Sequence, residues 1–141
     1  MEGIDIQVLG DDIKKFTAIV KLSNGENYSA EIIGQTGRIR LAGYVCADGS
    51  IYQPKLWDTE EPYLYEMQIV TAEDKVDTYF ALRTIEIRNI KGINRICLNE
   101  KPIFMHGVLD QGYYPEGIWT APDDNALKKD IELAKAAGFN G

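Results

Sequence analysis

The strongest constraint on this chain is a two-residue hydrophobic period that recurs between residues 4 and 88 and is interrupted by turn residues about every 8 to 12 positions. Phe16, Ala18, Val20 and Leu22 alternate with Thr17, Ile19 and Lys21, which assigns the two sets to opposite faces of one strand. Ser23-Asn24-Gly25 follows and carries the Asn-Gly step that favours a tight hairpin turn, after which Tyr28, Ala30 and Ile32 resume the alternation. Beyond Gln35-Thr36-Gly37, the stretch 38–45 places Ile39, Leu41 and Val45 on one face and Arg38 and Arg40 on the other, as in a half-buried strand. From Cys46 to Glu61 the pattern lapses into a loop in which Leu56-Trp57 is an isolated apolar pair, expected to plug one end of the fold. Tyr65, Met67 and Ile69 restart it, Ala72-Glu73-Asp74 turns it, and Val76, Thr78, Phe80, Leu82, Ile85 and Ile87 complete it.

About seven strands in this space predict a mainly β fold, an immunoglobulin-like antiparallel β-sandwich over residues 1–88. The character then changes. Ile93 to Leu98, Asn99-Glu100-Lys101-Pro102 and Ile103 to Val108 suggest a hairpin leading into a strand, Ile103-Phe104-Met105, that is apolar on both faces. An aromatic, Gly-rich loop over 109–120 precedes Pro122-Asp123-Asp124, a first helical turn suited to the helix dipole. Ala126, Leu127, Ile131, Leu133, Ala134 and Ala137 cover an arc of roughly 160° at 100° per residue, and Gly138 ends the helix. Residues 89–141 thus read as a hairpin and a truncated βα unit, expected to be cut in mid-fold because its second strand is missing. Asp130 interrupts the apolar arc; either it needs a partner outside this chain, or it is solvated on a frayed helix.

Composition removes several functions. Fifteen Lys and Arg against 22 Asp and Glu give a net charge of −7, so no basic surface is available for a phosphate backbone and no nucleic-acid partner is expected. No apolar run approaches the roughly 18 to 20 residues of a membrane span, and MEGIDIQVLGDD lacks the pattern of a signal peptide. The protein is expected to be soluble, in the bacterial cytoplasm or periplasm or secreted, with the compartment undetermined. Cys46 and Cys97 lack metal-ligand spacing and read as two unpaired thiols, and one histidine rules out paired-His zinc sites. Neither a metal nor a cofactor is expected.

Four ordered segments then carry a resemblance. The stretches 54–65 (PKLWDTEEPYLY), 79–87 (YFALRTIEI), 98–108 (LNEKPIFMHGV) and 130–140 (DIELAKAAGFN) resemble consecutive signatures of glycoside hydrolase family 2, the β-galactosidase and β-glucuronidase family. The resemblance implies a family sandwich over about 4–88 and the entry into a catalytic (β/α)8 barrel over about 89–141. It also implies partners in the same polypeptide, an amino-terminal jelly-roll domain and the rest of the barrel. Such enzymes hydrolyse β-glycosides with retention, using two Glu residues on later barrel strands, so this chain is expected to hold no catalytic residue and to be inactive alone.

The candidate substrate-binding residues are His106, Asp110, Gln111, Tyr114 and Trp119. Barrel active sites lie at the carboxyl ends of strands, and residues 106–119 directly follow the expected first strand. Asp110 and Gln111 can bridge hydroxyls, while Tyr113, Tyr114 and Trp119 offer flat faces to pyranose rings. The same aromatics could instead pack the loop. Better-known family members carry Arg where this chain has His106, followed by Gly-Val-Asn and then Arg-His-Glu; here the run is Gly107-Val108-Leu109-Asp110-Gln111-Gly112. Their galactoside or glucuronide contacts therefore do not transfer. Trp57 and Arg83 read as a core plug and a structural link. The alternative function is an autonomous carbohydrate-binding or structural β-sandwich module.

Overall fold

The computed structural model describes residues 3–141, which divide into two compact units at Lys101 and Pro102. The first is mainly β and antiparallel, consistent with a sandwich. One sheet pairs β1 (Ile4–Gln7) with β4 (Thr36–Ile39), and the other has the order β3-β2-β5-β6, from β2 (Lys15–Lys21), β3 (Asn27–Ile33), β5 (Tyr65–Val70) and β6 (Lys75–Phe80). Phe16, Ala18 and Val20 from β2 meet Ile6, Ile39, Tyr65 and Ile69 in one buried cluster. Full burial of each large apolar side chain stabilises the fold by roughly 1.5–3 kcal/mol.

The β2–β3 hairpin follows from its sequence. Leu22 N donates to Glu26 O at 2.8 Å, closing a three-residue loop in which Gly25 adopts φ +90° and Asn24 Oδ1 accepts from Glu26 N. The strand expected over 38–45 is shorter than its pattern. It stops at Ile39 because Gly43 takes φ +85° and Tyr44 N turns back onto Leu41 O. Leu41 stays buried, whereas Val45 is exposed and bridges only to Ile51.

The long loop is held by a buried chain of hydroxyls. Tyr65 OH donates to Lys55 O at 3.1 Å and accepts from Lys55 N at 2.7 Å, so the 3.1 Å contact with Tyr52 must be donated by Tyr52. Tyr52 in turn accepts from Ser23 N and from the Ser23 hydroxyl at 2.8 Å. Burial pushes the Tyr65 phenol well above the ordinary tyrosine range. Trp57 is half-buried, bonds through its backbone N–H to Leu82 O, and lies under the Arg83 guanidinium, 4.9 Å from the ring centre. Cys46 and Cys97 are buried free thiols.

A third sheet joins β7 (Ile85–Ile90), β8 (Ile93–Leu98) and β9 (Lys101–Pro102). Ile85 and Ile87 pair with Leu98 and Ile96 there, and both isoleucines are exposed. Asn99 adopts φ +49°; its carboxamide accepts from Thr84 N at 3.1 Å and donates to Trp57 O at 2.9 Å.

The second unit contains α1 (Asp124–Ala136). Asp123 caps it by accepting from Ala126 N, so the helix begins at Asp124, two residues later than a first turn at Pro122. At its other end Phe139 N bonds Ala134 O and Gly138 N bonds Lys135 O, with Gly138 at φ +91°, a Schellman ending. No named strand forms over 103–108, which corrects the expected apolar strand. Among the described residues its backbone is bonded in this unit to Asn140 and Gly141: Asn140 N bonds His106 O, and Val108 N bonds Gly141 O. The Asn140 side chain reinforces them by accepting from His106 N and donating to Phe104 O, both at 2.8 Å. With so little cover, Phe104 remains 81% exposed and no α1 residue is buried. Among the described residues, no helix is long and apolar enough to cross a membrane.

Candidate functional site

The loop between residues 109 and 121 owes its shape to local hydrogen bonds. Asp110 Oδ1 accepts from Gly112 N at 2.8 Å, an Asx turn that reverses the chain where Gly112 takes φ +63°. Tyr114 and Ile118 then exchange backbone hydrogen bonds of 3.0 and 2.9 Å around Pro115-Glu116-Gly117. A Cβ on Gly117 would lie 2.1 Å from Thr120 O, so glycine is required there. Ile118 sits at φ +56°, a conformation that costs a β-branched residue on the order of 1–3 kcal/mol.

This loop brings Tyr113 and Trp119 together, with ring centres 4.5 Å apart and planes inclined by 42°. Both rings are largely exposed, at 59% and 71%. Beside them the Tyr114 hydroxyl donates to Asp130 Oδ2 at 2.9 Å. That bond, then desolvation and the negative charges of Asp130 and Asp110, raise the Tyr114 phenol above its usual value. Asp130 is exposed, yet it finds a partner inside this chain. An aromatic surface edged by a phenol, two carboxylates and the exposed Gln111 can stack on a sugar ring and bond its hydroxyls.

His106 has a different setting. Its Nδ1 lies 3.2 Å from Gly138 O and its ring centre 4.5 Å from that of Phe139, so it is engaged by the end of α1. Gln111 makes no side-chain hydrogen bond among the described residues. The residue that reading by motif left out of the site is Asp130, although its interruption of the apolar arc was the available signal. Other carboxylates have structural duties: Asp58 accepts from Glu61 N and Glu60 N, which lower its pKa, and Asp123 caps α1. In the first unit a cavity of about 670 Å³, lined by Ile4, Arg40, Leu41, Leu56 and Glu100 among others, includes none of the five candidate residues.

The family model of glycosyl hydrolases family 2 matches residues 4–83. A β-galactosidase of Staphylococcus xylosus is 26% identical over 137 residues, covering 94% of this chain and 13% of that protein. A β-galactosidase of Lactococcus lactis is 33% identical over 99 residues, covering 67% of this chain and 10% of its own length. The structure of Ruminococcus gnavus β-glucuronidase superposes with a TM-score of 0.69 at 20% identity, over 92% of this chain and 19% of that one. The chain spans only about a tenth of the length of these curated relatives.

Proposed function

The chain belongs to glycosyl hydrolases family 2, and on that premise we propose that it is part of an enzyme that hydrolyses β-glycosides with retention. In this reading the sandwich supports a catalytic barrel, residues 89–141 enter that barrel, and its remaining strands and a jelly-roll domain are partners within one polypeptide. The supporting observation is the Staphylococcus xylosus β-galactosidase match, which extends over 94% of the chain and so through both units. Retention requires two carboxyls about 5 to 5.5 Å apart, one to protonate the leaving oxygen and one to attack the anomeric carbon. Asp58 and Asp110 are committed to turns, Asp123 to the cap of α1 and Asp130 to Tyr114, and the two catalytic Glu residues of this reading belong to later barrel strands, so the isolated chain is catalytically silent. Asp110, Gln111, Tyr114 and Trp119 contribute sugar contacts at the rim, and His106 positions the segment beneath them.

Two assays test this. The 141-residue chain is expected to release no nitrophenol from aryl β-galactosides or β-glucuronides above the buffer rate; clear turnover would refute its silence. A longer polypeptide from the same gene is expected to hydrolyse a β-glycoside to the β-anomer first, seen by proton NMR. An α-anomer product, or no hydrolysis of any β-glycoside, would overturn the reaction assignment.

A further inference from the structure

The outer face of the four-stranded sheet carries a second surface suited to carbohydrate, separate from the aromatic loop. Tyr65 and Ile69 point into the core, so Glu66 and Gln68 face outward, together with their cross-strand neighbours. The register aligns Gln68 with Asp77 and with Ile19, Ile19 with Ser29, Glu66 with Tyr79, and Lys21 with Asn27. Asn27, Lys21, Glu66 and Tyr79 therefore form a row across all four strands, about 14 Å long from the strand spacing. A depression of about 500 Å³ lies over the Asn27, Lys21 and Glu66 part of this row and over the next, lined also by Ile19, Gln68 and Asp77, with Tyr79 in the same row but outside the lining.

The chemistry of the depression is amphipathic. Ile19 is a half-buried apolar floor, while Tyr79, 70% exposed, stands at the edge strand with its ring open to solvent. Gln68 Nε2 donates to Asp77 Oδ1 at 2.6 Å and Lys21 Nζ lies 3.1 Å from Glu66 Oε2, so the polar groups are held above the sheet. Asn27 and the Tyr79 hydroxyl have no side-chain partner among the described residues. A flat apolar floor and aromatic edge, bordered by paired donors and acceptors, match the alternating C–H and hydroxyl faces of a sugar chain. One lysine against Glu66 and Asp77, on a chain of net charge −7, disfavours an anionic ligand.

We propose that this sheet face is a non-catalytic binding site for a short neutral oligosaccharide, laid across the strands with one sugar against Tyr79. The assignment rests on the sheet register and holds whether or not the chain forms part of a glycosidase. The test is an NMR titration of the 141-residue chain with cellotetraose and β-1,4-galactotetraose, and with tetragalacturonate as the anionic comparator, all at millimolar concentration. Saturable shifts centred on Ile19, Asn27, Gln68 and Tyr79 are expected with at least one neutral sugar. Tyr79→Ala and Gln68→Ala should each weaken binding by about tenfold, roughly 1.4 kcal/mol. No saturable shifts at these residues with either neutral sugar, tighter binding of the galacturonate, or binding kept unchanged in both Tyr79→Ala and Gln68→Ala would each overturn the proposal.

Discussion

The hydroxyl of Tyr114 and the carboxylate of Asp130 meet at 2.9 Å, tying the aromatic loop to the middle of α1. The bond needs the phenol protonated, which is why the Tyr114 pKa is raised. A raised folded-state pKa gives stability that is complete below the unfolded value near 10 and is lost as pH climbs through the folded one. Tyr114 is therefore expected to titrate later than a free tyrosine, and the Tyr113–Trp119 ring contact should loosen as it does. Ring-labelled NMR checks this. Asp130→Asn should return the titration toward the ordinary value, and an unchanged curve would show that Asp130 is not its cause.

Tyr65→Phe should destabilise the first unit by roughly 1–3 kcal/mol, because the lost hydroxyl leaves Lys55 N and Tyr52 OH without a buried partner. Urea unfolding measures the loss. Tyr52→Phe acts on the same chain of hydroxyls, so the two changes together should cost less than the sum of each. Strict additivity would argue that the hydroxyls do not act as a unit.

Asn99→Ala removes two hydrogen bonds and places a Cβ-bearing, non-Asx residue at φ +49°. A loss of roughly 1–3 kcal/mol is expected, with a change in Trp57 fluorescence as its carbonyl is released. Asn99→Gly relieves the backbone but not the hydrogen bonds, and should recover only part of the loss. Full recovery would assign the effect to backbone conformation alone.

Asn140→Ala should leave His106 N and Phe104 O without their side-chain partners. Faster amide exchange at His106 and Val108 is expected, with the slow amides of β2 and β5 unchanged. Asn140→Asp can still accept from His106 N but cannot donate to Phe104 O, so it should protect His106 more than alanine does. Equal protection in both variants would contradict the clamp.

Much of the first unit was legible because its signals are local. The alternation around Val20, the turn at Gly25 and the turn at Ala72-Glu73-Asp74 each depend on a few adjacent residues, and the observed strands follow them. The pattern overran where alternation was not matched by a pairing partner. Val45 has the expected parity but follows the Gly43 turn, and the segment 103–108 is apolar yet is bonded through its backbone to no more than Asn140 and Gly141 among the described residues. Of the candidate loop, the aromatic residues stood out in sequence. Their pairing did not, since it depends on the closed Tyr114–Ile118 turn and on the backbone of Ile118.

The sequence by itself determined most strands of the first unit, a helix that ends at Gly138, and which family the ordered signatures resemble, because these rest on short-range periodicity, turn chemistry and motif order. Only the tertiary structure decided that Asp130 is met by Tyr114, that Asn99 reaches Trp57 across 42 residues, and that Lys21, Glu66 and Tyr79 fall into one row. Those contacts depend on the path of the backbone between distant segments and on the direction each side chain takes from it, and neither is encoded in the spacing of residues along the chain.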